Sequence, residues 1–172
     1  MAIKAVRWVL ASALFSLATL LGLSACSDDK LVVLQPGTFS EDWPTAIRGK
    51  LIKNKKCAID AVNGKSTEQR HFSLKNGEAL VLAGWAFSQE DGPSPEVYVQ
   101  LVGPALTYTA ITQTRYARSD VNQYFKLDPA WITGFELKAV QNAEPNEYEL
   151  HVLQAGKGGV AQCETDLFIK IE

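Results

Sequence analysis

Short apolar runs separated by turn residues are the feature that most limits how this chain can fold. Asn63-Gly64 and Asn76-Gly77 each stand between two such runs, and Asn-Gly is typical of the tight turns of β-hairpins. Residues 134–140 and 147–154 alternate apolar and polar side chains, as half-buried strands do. About eight short strands at roughly 8–12-residue spacing predict an all-β fold over residues 49–172. We expect an antiparallel, Ig-like β-sandwich with one or two short helical turns.

Two tyrosines in this pattern are candidate binding residues. Residues 96–102 alternate so that Val97 and Val99 point into the predicted core and Tyr98 points away from it. Tyr108 is expected to lie outward on the following strand. An exposed aromatic ring can stack on a sugar ring or contact a partner protein, and the alternative is that both rings are partly covered surface residues.

The first 25 residues have the three parts of an export signal. Lys4 and Arg7 give a positive start, residues 8–23 form an apolar stretch, and Leu23-Ser24-Ala25-Cys26 follows. An apolar run of about 15 residues is short for a stable membrane span, which favours a signal peptide over a retained membrane anchor.

Leu23-Ser24-Ala25-Cys26 resembles the lipobox of bacterial lipoproteins. The resemblance implies cleavage after Ala25, so that 1–25 is a lipoprotein signal peptide, and a diacylglycerol thioether on Cys26. Residues 26–48 would then be the lipidated terminus and a tether. In lipoproteins of this kind, an aspartate directly after the cysteine resembles a signal for retention in the inner membrane. This chain has Ser27 at that position, which favours the outer membrane. The membrane is therefore a predicted partner through lipid on Cys26.

The remaining cysteines agree with an exported chain. The chain has three cysteines, and if Cys26 carries lipid then Cys57 and Cys163 remain. An even pair in an oxidising compartment predicts one disulfide, and the alternative is two free buried thiols.

A second resemblance rests on a series of short motifs: Gly84-Trp85-Ala86-Phe87, Arg118-Ser119-Asp120-Val121, Phe125 and Thr133-Gly134-Phe135. This series is similar to β-sandwich modules that accompany bacterial polysaccharide glycosyltransferases. The resemblance spans roughly residues 79–154, and it implies a sandwich fold and a surface-carbohydrate context without a catalytic role. Physical chemistry offers two interpretations of Arg118 and Asp120. They pair across one turn while Asp120 caps the next helical turn, or they line a sugar or peptide groove.

Composition and motifs argue against several function classes. The chain has 17 basic and 19 acidic residues, and the predicted cleavage removes two of the basic ones, so nucleic acid is not an expected partner. HExxH, GxSxG and a glycine-rich phosphate loop are absent from the sequence, and neither His71 nor His151 stands at metal-ligand spacing. We therefore predict no cofactor, no metal and no enzyme activity.

The favoured hypothesis is a non-catalytic, lipid-anchored binding or accessory module of the cell envelope, with an envelope polysaccharide as its ligand. A protein–protein scaffold or inhibitor at the outer membrane is the alternative. A hydrolase that uses scattered carboxylates is the third hypothesis, because paired carboxylates have no sequence motif.

The lipidation hypothesis predicts a specific mass and a specific location. Intact mass spectrometry of the native protein should find the chain beginning at Cys26 with a diacylglycerol thioether and an acylated amine, and cells fed labelled palmitate should label it. Cys26→Ser should abolish the label, because the thioether needs the sulfur. An intact Met1 terminus on the native protein would contradict the prediction.

Overall fold

The structure is a computed structural model, and it describes residues 37–172 apart from Lys55 and Gln89. The predicted signal peptide and Cys26 lie outside the described residues. Within the described part the chain forms ten strands, one α-helix and one 3₁₀ turn at Thr45–Ile47. The strands are β1 Leu51–Lys53, β2 Cys57–Val62, β3 Lys65–Ser66, β4 His71–Leu74, β5 Ala79–Ala86, β6 Glu96–Val102, β7 Thr107–Ala117, β8 Ile132–Val140, β9 Asn146–Gly156 and β10 Gly159–Ile171, and the helix is α1, Ser119–Phe125.

The strands form two layers that share β7. The first part of β7, 107–113, pairs with β6, and the last part, 114–117, pairs with β8. The front layer contains β2, β3, β5, β8 and the end of β7, and the back layer contains β1, β4, β6, β9, β10 and the start of β7. The predicted all-β sandwich is confirmed. The structure has ten strands where eight were expected, because β1 and β3 are too short to stand out in the sequence. The sandwich is also not purely antiparallel, since β1 and β4 run parallel to β10.

Side chains from both layers meet in one apolar core. The even-numbered residues of β5, the odd-numbered residues of β8 and Tyr148, Leu150 and Val152 of β9 point between the layers. Large, fully buried aliphatic side chains there include Leu80, Leu82, Leu101, Leu150 and Ile169. Burying each such side chain stabilises the fold by roughly 1.5–3 kcal/mol, so this core holds the two layers together.

The predicted disulfide is present. Cys57 of β2 and Cys163 of β10 are bonded, with their Cα atoms 6.2 Å apart. Counting outward from the shared strand β7, β2 is the third strand on the front side and β10 is the third on the back side. The disulfide therefore joins the layers at the side of the sandwich that β7 leaves open.

Part of the predicted tether belongs to the folded domain. Residues 37–48 pack against the sandwich: Phe39 enters the main core, and Ile47 is fully buried against the outer face of the back layer. Ser40 exchanges two backbone hydrogen bonds with Thr109, with donor–acceptor distances of 3.0 and 2.7 Å. The predicted domain boundary at residue 48 is therefore too late, because the contacts that hold this segment are with residues distant in sequence.

The helix α1 and the loop after it are held by one buried amide. The Asn122 side chain donates to the carbonyls of Asp128, Pro129 and Trp131 at 3.0–3.3 Å. The predicted capping role of Asp120 is wrong, since the N-cap residue is Arg118 and Asp120 lies inside the first turn. Its carboxylate still carries favourable charge there, near the positive end of the helix dipole.

The disulfide should contribute measurably to stability. The two cysteines are 106 residues apart, and closing a loop of that size in the unfolded chain is worth roughly 4–5 kcal/mol in the chain-entropy model. Replacing both cysteines, Cys57→Ser with Cys163→Ser, should lower the free energy of unfolding by about 2–5 kcal/mol in urea titrations. Urea midpoints that agree for the two proteins would contradict this.

Candidate functional site

The outer face of the front layer carries an unusual strip of apolar side chains. The outward residues of its central strand β5 are Ala79, Val81, Ala83 and Trp85, and none is polar. A strand with one solvated face normally alternates apolar and polar residues, whereas a strand that is apolar on both faces is normally covered on both. Trp85 is half-buried, but Val81 is 40 % exposed.

A groove lies over this strip because β7 departs from β8. β7 leaves the back layer after Gln113, and only its last part, 114–117, pairs with β8, opposite residues 132–135. The space between them is a groove of about 790 Å³, within the usual range for ligand sites. Val81 and Ala83 lie in it, with Ile111 of β7 also contributing and Gly37 at its wall.

Charged groups of both signs line the same groove. Glu96 and Arg115 contribute from β6 and β7, and Glu136 and Lys138 contribute from β8. The Thr112 hydroxyl donates to the backbone carbonyl of Glu136, which links the two diverging strands. The groove therefore combines an apolar strip with carboxylates and cations that can donate and accept hydrogen bonds.

Tyr98 does not lie exposed as predicted. Its side chain is 2 % exposed, because Ile47 and Leu153 pack around it on the outer face of the back layer. Its hydroxyl donates to Oε2 of Glu96 at 2.7 Å. Burial, together with this bond and the nearby negative charge, raises the pKa of Tyr98 well above its ordinary value. Tyr98 thus positions the Glu96 carboxylate, and it offers no stacking surface.

Tyr108 is also buried, with 4 % of its surface exposed, so the expectation that it lies outward is wrong. Its ring meets that of Tyr148 edge to face, with the ring centroids 5.8 Å apart, inside the main core. Burial is the main reason that the pKa of Tyr148 is raised to about 12. Neither tyrosine presents the exposed ring that stacking on a sugar requires.

Arg118 and Asp120 pair as one of the two interpretations predicts. The Arg118 guanidinium donates from Nε and Nη2 to the two carboxylate oxygens of Asp120, at 2.9 and 2.7 Å, and from Nη1 to Asp60 of β2. Arg118 thereby connects the end of β7 to β2 across the front layer. Neither Arg118 nor Asp120 lines the groove described above.

An aromatic cluster covers the end of the front layer near α1. The ring of Phe125 lies 5.5 Å from that of Trp85 and 5.2 Å from that of Phe87, measured between ring centroids. The Lys56 ammonium lies 4.5 Å from the centroid of the Phe125 ring. Next to Phe125, Tyr124 is 80 % exposed, which makes it the available aromatic surface of this cluster.

Within the described residues, no group of three histidine, cysteine or carboxylate side chains converges to hold a metal ion. His71 pairs with Glu147 at 3.0 Å and stacks on Phe168, and His151 bonds to Gln162 at 2.9 Å. In the same residues, no helix has the length and apolar character that crossing a bilayer would need.

The sequence reasoning did not identify the groove residues Val81, Glu96, Arg115 and Lys138. One signal for them was available, since residues 79–87 are apolar at odd and even positions alike. That pattern is typical of a central strand, and it also indicates that the outer face of β5 is not an ordinary solvated surface.

The Arg118 ion pair predicts a low carboxyl pKa that depends on the arginine. The hydrogen bonds from Arg118 lower the pKa of Asp120 from its ordinary 3.8 to about 2. Arg118→Gln should return this pKa toward 3.8, as measured by NMR titration of the side-chain carboxyl carbon. Because the pKa is depressed in the folded state, the stabilisation by this pair is present at neutral pH and is lost as the pH falls from about 4 to about 2. Arg115→Gln is the matched control and should leave the Asp120 titration unchanged.

Comparison of the chain with protein-family models, with curated proteins and with solved structures gives no match.

Proposed function

We propose that this protein is a non-catalytic binding module of the bacterial cell envelope, held on the outer membrane by lipid on Cys26, and that it binds an extended apolar protein segment in the groove. The observation that carries the proposal is the apolar strip on the central strand of the front layer, where exposed Val81 and half-buried Ala83 line the groove. An exposed apolar surface of this kind is typical of an interaction site.

Two features support the envelope location. The lipobox-like residues before Cys26 predict export and lipidation. The bond between Cys57 and Cys163 fits the same compartment, because structural disulfides persist in oxidising spaces and are rare in the cytosol.

The lining of the groove favours a protein segment over a sugar. Sugar sites usually offer an aromatic face for stacking, and the described side chains that line this groove include no aromatic ring. The lining follows three strands, with residues 81–83, 111–115 and 136–138, so an extended segment can place alternate apolar side chains on Val81 and Ala83. Glu96, Arg115, Glu136 and Lys138 can then bond to its backbone and polar side chains.

An envelope polysaccharide is the second candidate, favoured by Tyr124. Its ring is 80 % exposed at the end of α1, close in sequence to the Arg118–Asp120 pair. An exposed ring beside charged hydrogen-bonding groups suits a sugar ring, which has an apolar face and a polar edge.

Site-specific crosslinking in intact cells tests the proposal. A photo-reactive side chain at Lys138, in the groove, should crosslink to a partner protein, and mass spectrometry should identify the crosslinked peptide as an apolar segment. The matched control is the same side chain at Lys170, an exposed residue of β10 outside the groove. Ala83→Arg, which fills the groove, should lower the crosslink yield at Lys138 roughly tenfold, equivalent to about 1.4 kcal/mol of binding free energy.

A parallel assay separates the second candidate from the first. If polysaccharide is the ligand, retention on purified envelope polysaccharide should fall with Tyr124→Ala and persist with Ala83→Arg. Crosslinks at Lys138 that do not exceed those at Lys170, together with no retention on polysaccharide, would contradict both candidates. Circular dichroism of each variant verifies that the fold is retained.

A further inference from the structure

The outer face of the front layer is covered by aromatic side chains at one end. At one end of the front layer, Phe125 of α1 packs against Trp85. Nearby, the ring of Tyr116 lies over Gly134 so closely that a Cβ atom at that glycine would collide with it. In the groove, Val81 is exposed and Ala83 is half-buried, and no described aromatic ring packs over them. A strand that is apolar on both faces therefore has one exposed section where a cover would fit.

The described chain begins at this groove. Gly37, the first described residue, is part of the groove wall. Its carbonyl accepts a hydrogen bond from the Val140 amide at 2.8 Å, which fixes it beside the end of β8. Gly37 has a φ of 90°, a turn conformation that glycine adopts without strain. The residues that precede Gly37 are thus attached to the wall of the groove by a covalent bond.

The sequence before Gly37 has the chemistry that the groove fits. Residues 31–34 are Leu-Val-Val-Leu, the one uninterrupted apolar run between Cys26 and Gly37. β-branched and aliphatic residues favour an extended backbone, which suits a groove that runs along a sheet. Gln35 and Pro36 separate this run from Gly37, a spacing of about 10 Å when extended. Gly37 and Val81 line the same groove, so the run is attached close to the apolar strip.

We propose that residues 31–34 of this chain occupy the groove and compete with its external ligand. This inference rests on the proposed function, because it assigns the regulation of the same site. The effective concentration of a segment tethered at the groove wall is high, so only a fraction of the grooves is open at any time. The apparent affinity for the external ligand is the intrinsic affinity multiplied by that fraction.

The competition also changes how far the domain extends from the membrane. With residues 31–34 in the groove, the free chain between Cys26 and Leu31 spans at most about 18 Å. Once a ligand displaces them, the free chain from Cys26 to Gly37 spans up to about 40 Å. Ligand binding and reach from the lipid anchor are therefore coupled.

Engineered disulfides in the full-length, lipidated chain test the position of the segment. Four double variants each combine Ala83→Cys with a cysteine at position 31, 32, 33 or 34, and oxidised cells are analysed by peptide mass spectrometry. A disulfide requires Cβ atoms about 4 Å apart. If residues 31–34 lie in the groove beside Ala83, at least one of the four pairs meets this requirement and should form an intramolecular disulfide. The matched controls replace Ala83→Cys with Lys170→Cys, outside the groove, and should form no such disulfide. The same mass spectra verify that Cys57 remains bonded to Cys163.

Competition is measured with the photo-reactive side chain at Lys138. Val32→Ser with Val33→Ser should raise the yield of the crosslink to the partner roughly tenfold, if the segment occupies the groove about nine-tenths of the time. Val32→Ile with Val33→Ile keeps the segment apolar and should leave the yield unchanged.

The disulfide test and the competition test can fail independently of each other. No disulfide with Ala83→Cys, or equal yields with Lys170→Cys, would overturn the inference even if the partner crosslink at Lys138 is strong. A selective disulfide with no partner crosslink in any variant would support the position of the segment and contradict the proposed external protein ligand. Equal partner yields in the serine and isoleucine variants would overturn the competition.

Discussion

Because β7 pairs with β6 along its first part and with β8 along its second, the two layers cannot separate on that side of the sandwich. The Cys57–Cys163 bond closes the opposite side. The core between these two connections then has a fixed width. The same change of partner by β7 leaves one edge of β8 without a described neighbouring strand between Phe135 and Val140, and this is why the groove exists.

Local patterns predicted the fold well because each pattern has a local physical cause. Asn63 and Gly64 both have positive φ, as a tight hairpin turn requires, and the chain turns there. Phe135 and Leu137 alternate with exposed neighbours and point into the core. The cysteine count and the compartment together predicted the disulfide. None of these predictions needed knowledge of which segments pack together.

The errors share one cause, which is cover supplied by a distant segment. Tyr98 stands at a position that alternation assigns to solvent, yet residues 37–48 lie over that face and bury it. Tyr108 lies on the same face of β7 as Ala110, and the ring of Tyr148 from β9 packs against it in the main core. The groove residues were missed for a related reason: Glu96, Arg115 and Lys138 come from three strands, and only the path of β7 brings them together.

The position of β10 has a consequence for the order in which the domain can form. This last strand pairs with β9, β1 and β4, and it also carries Cys163. A chain that emerges from its amino end therefore exposes two unpaired edge strands and a free Cys57 thiol until residues 159–171 arrive. Such long-range pairing makes closure slow relative to the formation of local hairpins. During that interval Cys57 is the accessible thiol of the emerging domain, so oxidation before β10 arrives would join it to a thiol other than that of Cys163.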